Sequence, residues 1–154
     1  MNRTVEVFGD QWSLLIIRDI MFMNRRHFRE LLTESQEKIA SNILADRLQM
    51  LVRQGVILKS QDPSHKQKAI YSLTEKGIEL LPLLMEMAVW ANKNLPAAKL
   101  KGLAQSLDAG GPKVKARFMA ELREIHLPKS GGRKKVGSQT KPTRTSATRK
   151  LQTS

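Results

Sequence analysis

The stretch 40–54 constrains this chain more than any other. Projected at about 100° per residue, Ile43, Leu44, Leu48 and Leu51 share one face with Arg47 beside them, while Asn42, Ala45, Asp46, Gln49 and Arg53 take the opposite face. Such a helix commits one side to a core and leaves the other for water or a partner. Gly55 follows at once and supplies the left-handed residue on which helices commonly stop. Beyond it, 56–60 and 69–73 are enriched in β-branched and aromatic residues and enclose the polar, proline-containing run 61–68. This pattern predicts a β-hairpin whose turn is longer than the tight two-residue kind.

The flanking segments extend a helical pattern. Glu6 to Gly9 closes a short first helix, and Asp10 after that glycine reads as an N-cap. A second helix is predicted over 11–23, with Trp12, Leu15, Ile16, Asp19, Ile20 and Met23 in one stripe and Leu14 and Ile17 widening it. After the basic corner 24–26, Phe28, Leu31 and Leu32 mark a short third helix that ends in the polar run 33–35. Thr74 caps a helix predicted over 75–92, bent by Pro82, with Ile78, Leu81, Met85, Ala88 and Trp90 as its apolar face. Past Pro96, Leu100, Leu103 and Leu107 allow one short helix, 108–111 break it, and Pro112 opens another carrying Val114, Phe118, Leu122 and Ile125.

Charge separates the chain into unequal parts. Of a net charge of +13, residues 1–98 hold 13 Lys and Arg against 11 Asp and Glu, and residues 99–154 hold 14 against 3. From Pro128 onward there are eight Lys or Arg and no acid, in a background of Ser, Thr and Gly, a composition that predicts disorder. That tail reads either as a solubility arm or as an electrostatic arm for phosphates or acidic lipid. The sequence has no cysteine, which excludes a disulfide framework, a thiolate nucleophile and thiol-based redox sensing, and suits a reducing compartment. No apolar stretch approaches the roughly 18 residues of a membrane span, and no secretory signal opens the sequence. The expectation is a cytoplasmic protein without a membrane partner.

The order helix, short helix, polar turn, helix, glycine, hairpin, helix is that of a helix-turn-helix followed by a wing. The expected fold is therefore mainly α with a small β-hairpin. A winged helix-turn-helix domain for DNA binding and dimerisation occupies 1–96, a helical extension 97–127 and a disordered basic tail 128–154. Phe8-Gly9-Asp10-Gln11-Trp12-Ser13-Leu14-Leu15-Ile16-Ile17-Arg18-Asp19, Phe28-Arg29-Glu30-Leu31, Ile39-Ala40-Ser41-Asn42-Ile43-Leu44-Ala45-Asp46-Arg47-Leu48 and Tyr71-Ser72-Leu73-Thr74-Glu75-Lys76-Gly77 resemble the successive signatures of HxlR-type winged-helix regulators, relatives of the MarR group. The resemblance covers roughly residues 3–95. It implies a dimeric bacterial DNA-binding regulator paired through its first and last helices, often answering to a small molecule or an electrophile. Many such regulators carry a sensing cysteine just before the first helix, whereas this chain reads Met1-Asn2-Arg3-Thr4 there. His27 and Arg29 also depart from the family pattern around Phe28.

Candidate contacts follow from that frame. Ser41, Asn42, Ala45 and Gln49, on the outer face of 40–54, suit base edges: Asn and Gln pair with adenine, Ser bonds several edges, and an alanine methyl meets thymine. Arg25, Arg26, Arg29, Arg53, His65, Lys66 and Lys68 are candidates for the phosphate backbone, although the 25–29 cluster reads equally as a solvated corner. Asp46 is expected to pair with Arg53. Arg47 is expected to anchor an ion pair, with Glu30 as candidate partner. Val5, Phe8, Trp12, Leu81, Leu84, Met85 and Trp90 are expected in the core or at a dimer interface. The seven methionines read as filler, with a deformable pocket as the alternative. His27, His65 and His126 lack ligand-spaced partners, and no phosphate-cradling glycine loop or nucleophile elbow appears, so no enzyme, metal or cofactor is expected. The expected partners are duplex DNA, a second copy of the chain and a small-molecule effector of unspecified identity. The expected role is sequence-specific transcriptional regulation, by repression, on a near-palindromic operator. The alternative is a winged-helix protein-interaction module without specific DNA binding.

Overall fold

A computed structural model describes residues 2–95 and 101–128, apart from the side chains of Arg3, Lys66 and residues 101–110. Its order is α1 Asn2–Phe8, α2 Gln11–Met23, α3 Phe28–Thr33, α4 Ser41–Arg53, β1 Ile57–Asp62, β2 His65–Leu73, α5 Glu75–Ile78, α6 Leu81–Asn94 and α7 Lys101–His126. The two antiparallel strands form one sheet. Mainly helical with one hairpin, this is the winged helix-turn-helix arrangement that the sequence predicts. The expected tail, 128–154, lies outside the described residues from 129 onward.

The core gathers the inner faces of every helix from α2 to α7. Ile17, Ile20, Leu31, Leu44, Leu48, Leu51, Ile57, Leu73, Ile78, Leu81, Met85 and Leu122 are fully buried. Each such side chain contributes about 1.5–3 kcal/mol by leaving water. Asp10 caps α2 as its position suggests, its carboxylate accepting from the Trp12 and Ser13 backbone N–H groups at 3.0 Å each. The buried face of α2 runs through Ser13, Ile16, Ile17, Ile20 and Met21, so it is turned slightly from the predicted stripe and Met23 is left exposed. Asp19, also buried, is matched by Arg18 at 2.7 Å and Arg25 at 3.1 Å.

Gly55 stops α4 as predicted. With φ at +67° it lets its own N–H reach Val52 O at 3.0 Å and the Val56 N–H reach Leu51 O at 3.0 Å. This paired closure satisfies two end carbonyls, and Val56 and Leu51 are both buried. The chain thus enters β1 at a fixed angle to α4.

Two predicted boundaries move. The single helix expected over 75–92 is two helices. Leu80 and Pro82 begin α6 afresh, because a proline ring fits a first turn but not the interior that a continuous helix would require. Trp90 faces outward, nine residues and about 180° from buried Leu81 on the same helix, away from the apolar face expected for it. The hairpin turn is tight, not long. Asp62 pairs with His65 around Pro63 and Ser64, and the register irregularity between Gln61 and Asp62 places the surplus residues 66–68 on the β2 side. Asp62 makes this turn by accepting from the Ser64 N–H at 2.8 Å and the Ser64 hydroxyl at 2.6 Å, with proline pre-set at the first corner.

α7 breaks at Gly111, where φ is +53°, so the helix expected to fail over 108–111 fails at one residue. Its second half lies on α5, α6 and β2, and touches α2. Phe118 meets Phe22 with ring centroids 5.5 Å apart, Leu122 is buried, and Arg123 bonds Glu75 at 2.9 and 3.0 Å. Ile125, expected on this face, is exposed, and His126 takes the inner position instead. Its Nδ1 accepts the Leu73 N–H at 3.2 Å. Burial, and then the Arg26 charge, lowers the imidazole pKa to about 4, which keeps this acceptor available.

Candidate nucleic-acid interface

Because Leu44, Leu48 and Leu51 are drawn inward, the opposite side of α4 stands in solvent. Ser41, Asn42, Asp46, Gln49 and Arg53 are exposed there, and Ala45 is half-buried among them. Ala40, at the N-cap, offers no side-chain oxygen to the first-turn N–H groups. The four predicted base-reading residues therefore share one accessible surface. Asp46 and Arg53, seven positions apart on α4 and both exposed, form no ion pair with each other.

Next to this surface α4 and the hairpin enclose a shallow groove of about 220 Å³, lined by Gln49, Arg53, Lys59 and Tyr71 with Leu48 and Val52 at its floor. Lys59 is absent from the sequence-derived candidates. Its signal was its position, two residues after the first buried residue of a strand leaving α4. Opposite charges are missing among the groove's lining residues, so the groove is cationic.

The arginine corner resolves into unlike members. Arg26 is drawn inward: its Nε–H donates to Tyr71 O at 3.1 Å, and its terminal nitrogen bonds the Ser72 hydroxyl. Arg25 lies between Asp19 at 3.1 Å and Glu34 at 3.5 Å. Both fasten the segment before α3 to the rest of the chain. Arg29 is exposed. Arg47 meets Asp10 at 3.3 Å, not Glu30. Despite burial, hydrogen bonds from Ser13 and the Arg47 charge hold the Asp10 carboxyl below its usual range.

Glu30 is occupied at the start of α3, where its carboxylate reaches back to the backbone of the N-cap residue, His27. The Glu30 carboxylate accepts from the Arg26 N–H at 2.9 Å and the His27 N–H at 3.0 Å. The His27 ring reaches from this cap to the hairpin tip, with Nδ1 3.0 Å from Glu30 and Nε2 2.8 Å from Asp62. The sequence offered one signal for this, the three-residue spacing of His27 and Glu30 before an apolar pair. His65 and Lys68 are exposed on the tip, and the Lys66 side chain lies outside the described residues.

The residues expected in the core or at an interface divide. Leu81, Leu84 and Met85 are core, and Phe8 and Trp12 pack partly buried against it. Val5 at 61% and Trp90 at 60% are exposed, and on α6 Leu83 and Met87 share the outer face with Trp90. A helix face that is apolar on both sides is unusual unless something covers it. No described helix is long and apolar enough to cross a membrane.

Residues 7–99 match the sequence profile described as HxlR-like helix-turn-helix. The HTH-type transcriptional regulator YodB of Bacillus subtilis (strain 168) is 34% identical over 93 residues, which are 60% of this chain and 81% of YodB. The solved structure of reduced YodB superposes with a TM-score of 0.51 at 32% identity, covering 62% of this chain and 92% of that one. A MarR-family protein of Porphyromonas gingivalis W83 gives the same TM-score of 0.51 at 32% identity, over 61% of this chain and 90% of its own. The HTH-type regulator Rv3095 of Mycobacterium tuberculosis (strain ATCC 25618 / H37Rv) is 32% identical over 62% of this chain. That match spans 59% of the mycobacterial relative, less than two thirds of its length. These relatives are transcriptional regulators and not enzymes, and α7 lies beyond the matched span.

Proposed function

This chain belongs to the HxlR-like helix-turn-helix family, and from that premise we propose that it is a cytoplasmic repressor that binds a near-palindromic duplex operator as a homodimer. The observation that carries this reading is the solvent face of α4, where Ser41, Asn42 and Gln49 stand exposed over a leucine-packed inner side. A face of that width enters a major groove, and Ala45 adds a methyl for thymine. Arg53 and Lys59 border the adjoining groove on the hairpin side and suit phosphates. Arg29, His65, Lys66 and Lys68 extend that set on the other side of the wing.

The dimer places two such helices about 34 Å apart, one turn of DNA. Its support is the outer stripe of Leu83, Met87 and Trp90 on α6, with exposed Val5 on α1. This stripe suits a second copy of the same chain, which would cover it by symmetry. The effector is a small molecule of unspecified identity. The division into a domain over 1–96, an extension over 97–127 and a tail over 128–154 belongs to this reading.

Selection of bound fragments from random duplex DNA tests it. Enrichment of an inverted repeat with centres one helical turn apart is the expected outcome. Asn42→Ala should then cost about 1–3 kcal/mol of discrimination at one base pair. Removing 128–154 should instead weaken binding to every sequence and flatten its salt dependence. Absence of duplex binding even at low salt would favour a protein-interaction module built on the same fold.

A further inference from the structure

The hairpin tip and the start of α3 enclose a cleft of about 590 Å³. His27 spans it. Its Nδ1 lies 3.0 Å from Glu30 on α3 and its Nε2 2.8 Å from Asp62 on the tip. Both partners are carboxylates, which only accept when ionised, so both ring nitrogens must donate in this arrangement. The ring is therefore an imidazolium.

The partners have little freedom to turn elsewhere. The second Asp62 oxygen accepts from the Ser64 N–H and hydroxyl, and the second Glu30 oxygen accepts from two backbone N–H groups. The other charged groups around the ring are Arg29 on α3, Glu34 just after it, His65 and Lys68 on the hairpin, and Arg26 just before α3. Glu34 is matched to Arg25, and Arg26 is bound to the hairpin base. Arg29 and Lys68 line opposite walls of the cleft, and neither has an ion-pair partner among the described residues.

We propose that protonated His27 is a positioning residue for duplex binding: it ties the wing tip to α3 and so sets the spacing of Arg29 and Lys68 for neighbouring phosphates. The proposal rests on the duplex-binding reading above. Loss of the ring proton turns one nitrogen into an acceptor that faces a carboxylate, and one end of the tie is replaced by repulsion. The hydrogen bond to Asp62, against some burial and with help from Glu30, raises the His27 pKa above its ordinary 6.5. The contribution is thus complete below pH 6.5 and is lost as pH rises through the raised value.

Two measurements on the full chain test this. NMR titration of the histidine rings in the free protein should give His27 a midpoint above 6.5, and Asp62→Asn should lower that midpoint. Fluorescence anisotropy with labelled random-sequence duplexes at fixed salt should show affinity about tenfold weaker at pH ~9 than at pH ~6, a change on the scale of one charge-assisted hydrogen bond. In a His65→Gln background, which removes the other imidazole at the hairpin tip, His27→Gln should bind at the weaker level throughout, with a flat profile. A His27 midpoint at or below 6.5, or a slope that survives His27→Gln in that background, overturns the proposal. Duplex binding by the wild type with no slope overturns it alone; no binding by any variant at low salt overturns the parent reading with it.

Discussion

At its base the hairpin is gripped by His126, and at its tip by His27. The first ring is buried, neutral and an acceptor, its Nδ1 closing the Leu73 N–H that the two-stranded sheet leaves open. The second is partly exposed and lies between two carboxylates, with Nδ1 3.0 Å from Glu30 and Nε2 2.8 Å from Asp62. On the helix that carries His126, Leu122 is buried and Phe118 packs against Phe22, and the one charge that acts on the ring is that of Arg26. Around His27 the contacts are ionic and open to the cleft. Apolar burial gives stability, while exposed ion pairs give geometry at little gain in stability. The same two-stranded element is anchored where it leaves the core and adjustable where it would meet a partner.

If that contrast is right, mutations at the two ends should differ greatly in cost. Leu122→Ala should have the largest effect, a loss of about 2–5 kcal/mol read from the urea midpoint, because it opens a cavity under α7. His126→Phe comes next, at about 1–3 kcal/mol, since it keeps the packing but strips the Leu73 N–H of its acceptor. The same variant sharpens the comparison through pH. A folded-state pKa of about 4 against an ordinary 6.5 means that the unfolded chain takes up a proton that the folded chain refuses. Wild-type stability should therefore fall as pH drops through 6.5 toward 4, and His126→Phe should show less of that fall. Smallest is Asp62→Asn at the tip, which should move the urea midpoint near neutral pH less than either of the other two variants. A tip variant as costly as Leu122→Ala would dissolve the distinction.

How much of this was legible in the sequence depends on what each pattern encodes. Periodicity encodes faces, so α2, α4 and the buried leucines of α4 were readable, and glycine at position 55 marked the stop because the required backbone angle is one that few other residues adopt. Partners are not encoded by periodicity. Arg47 was visibly beside the apolar face of α4, yet whether Asp10 or Glu30 would meet it depended on the packing of α2 against α4. Arg26 looked like surface charge until the hairpin base arrived to accept its N–H groups. The tight turn was missed because Asp62, Pro63 and Ser64 were absorbed into one polar run, although an acid followed by proline and serine is a turn signature in its own right. Of the candidate site, the exposed face of α4 was legible, whereas Lys59 and the His27 bridge required two distant segments to be placed together.

One carboxylate links the first half of the molecule mechanically. Asp10 both begins α2 and holds Arg47 in the middle of α4. The start of α2 and the middle of α4 therefore answer to one anion, and Asp10→Asn should be felt in both helices.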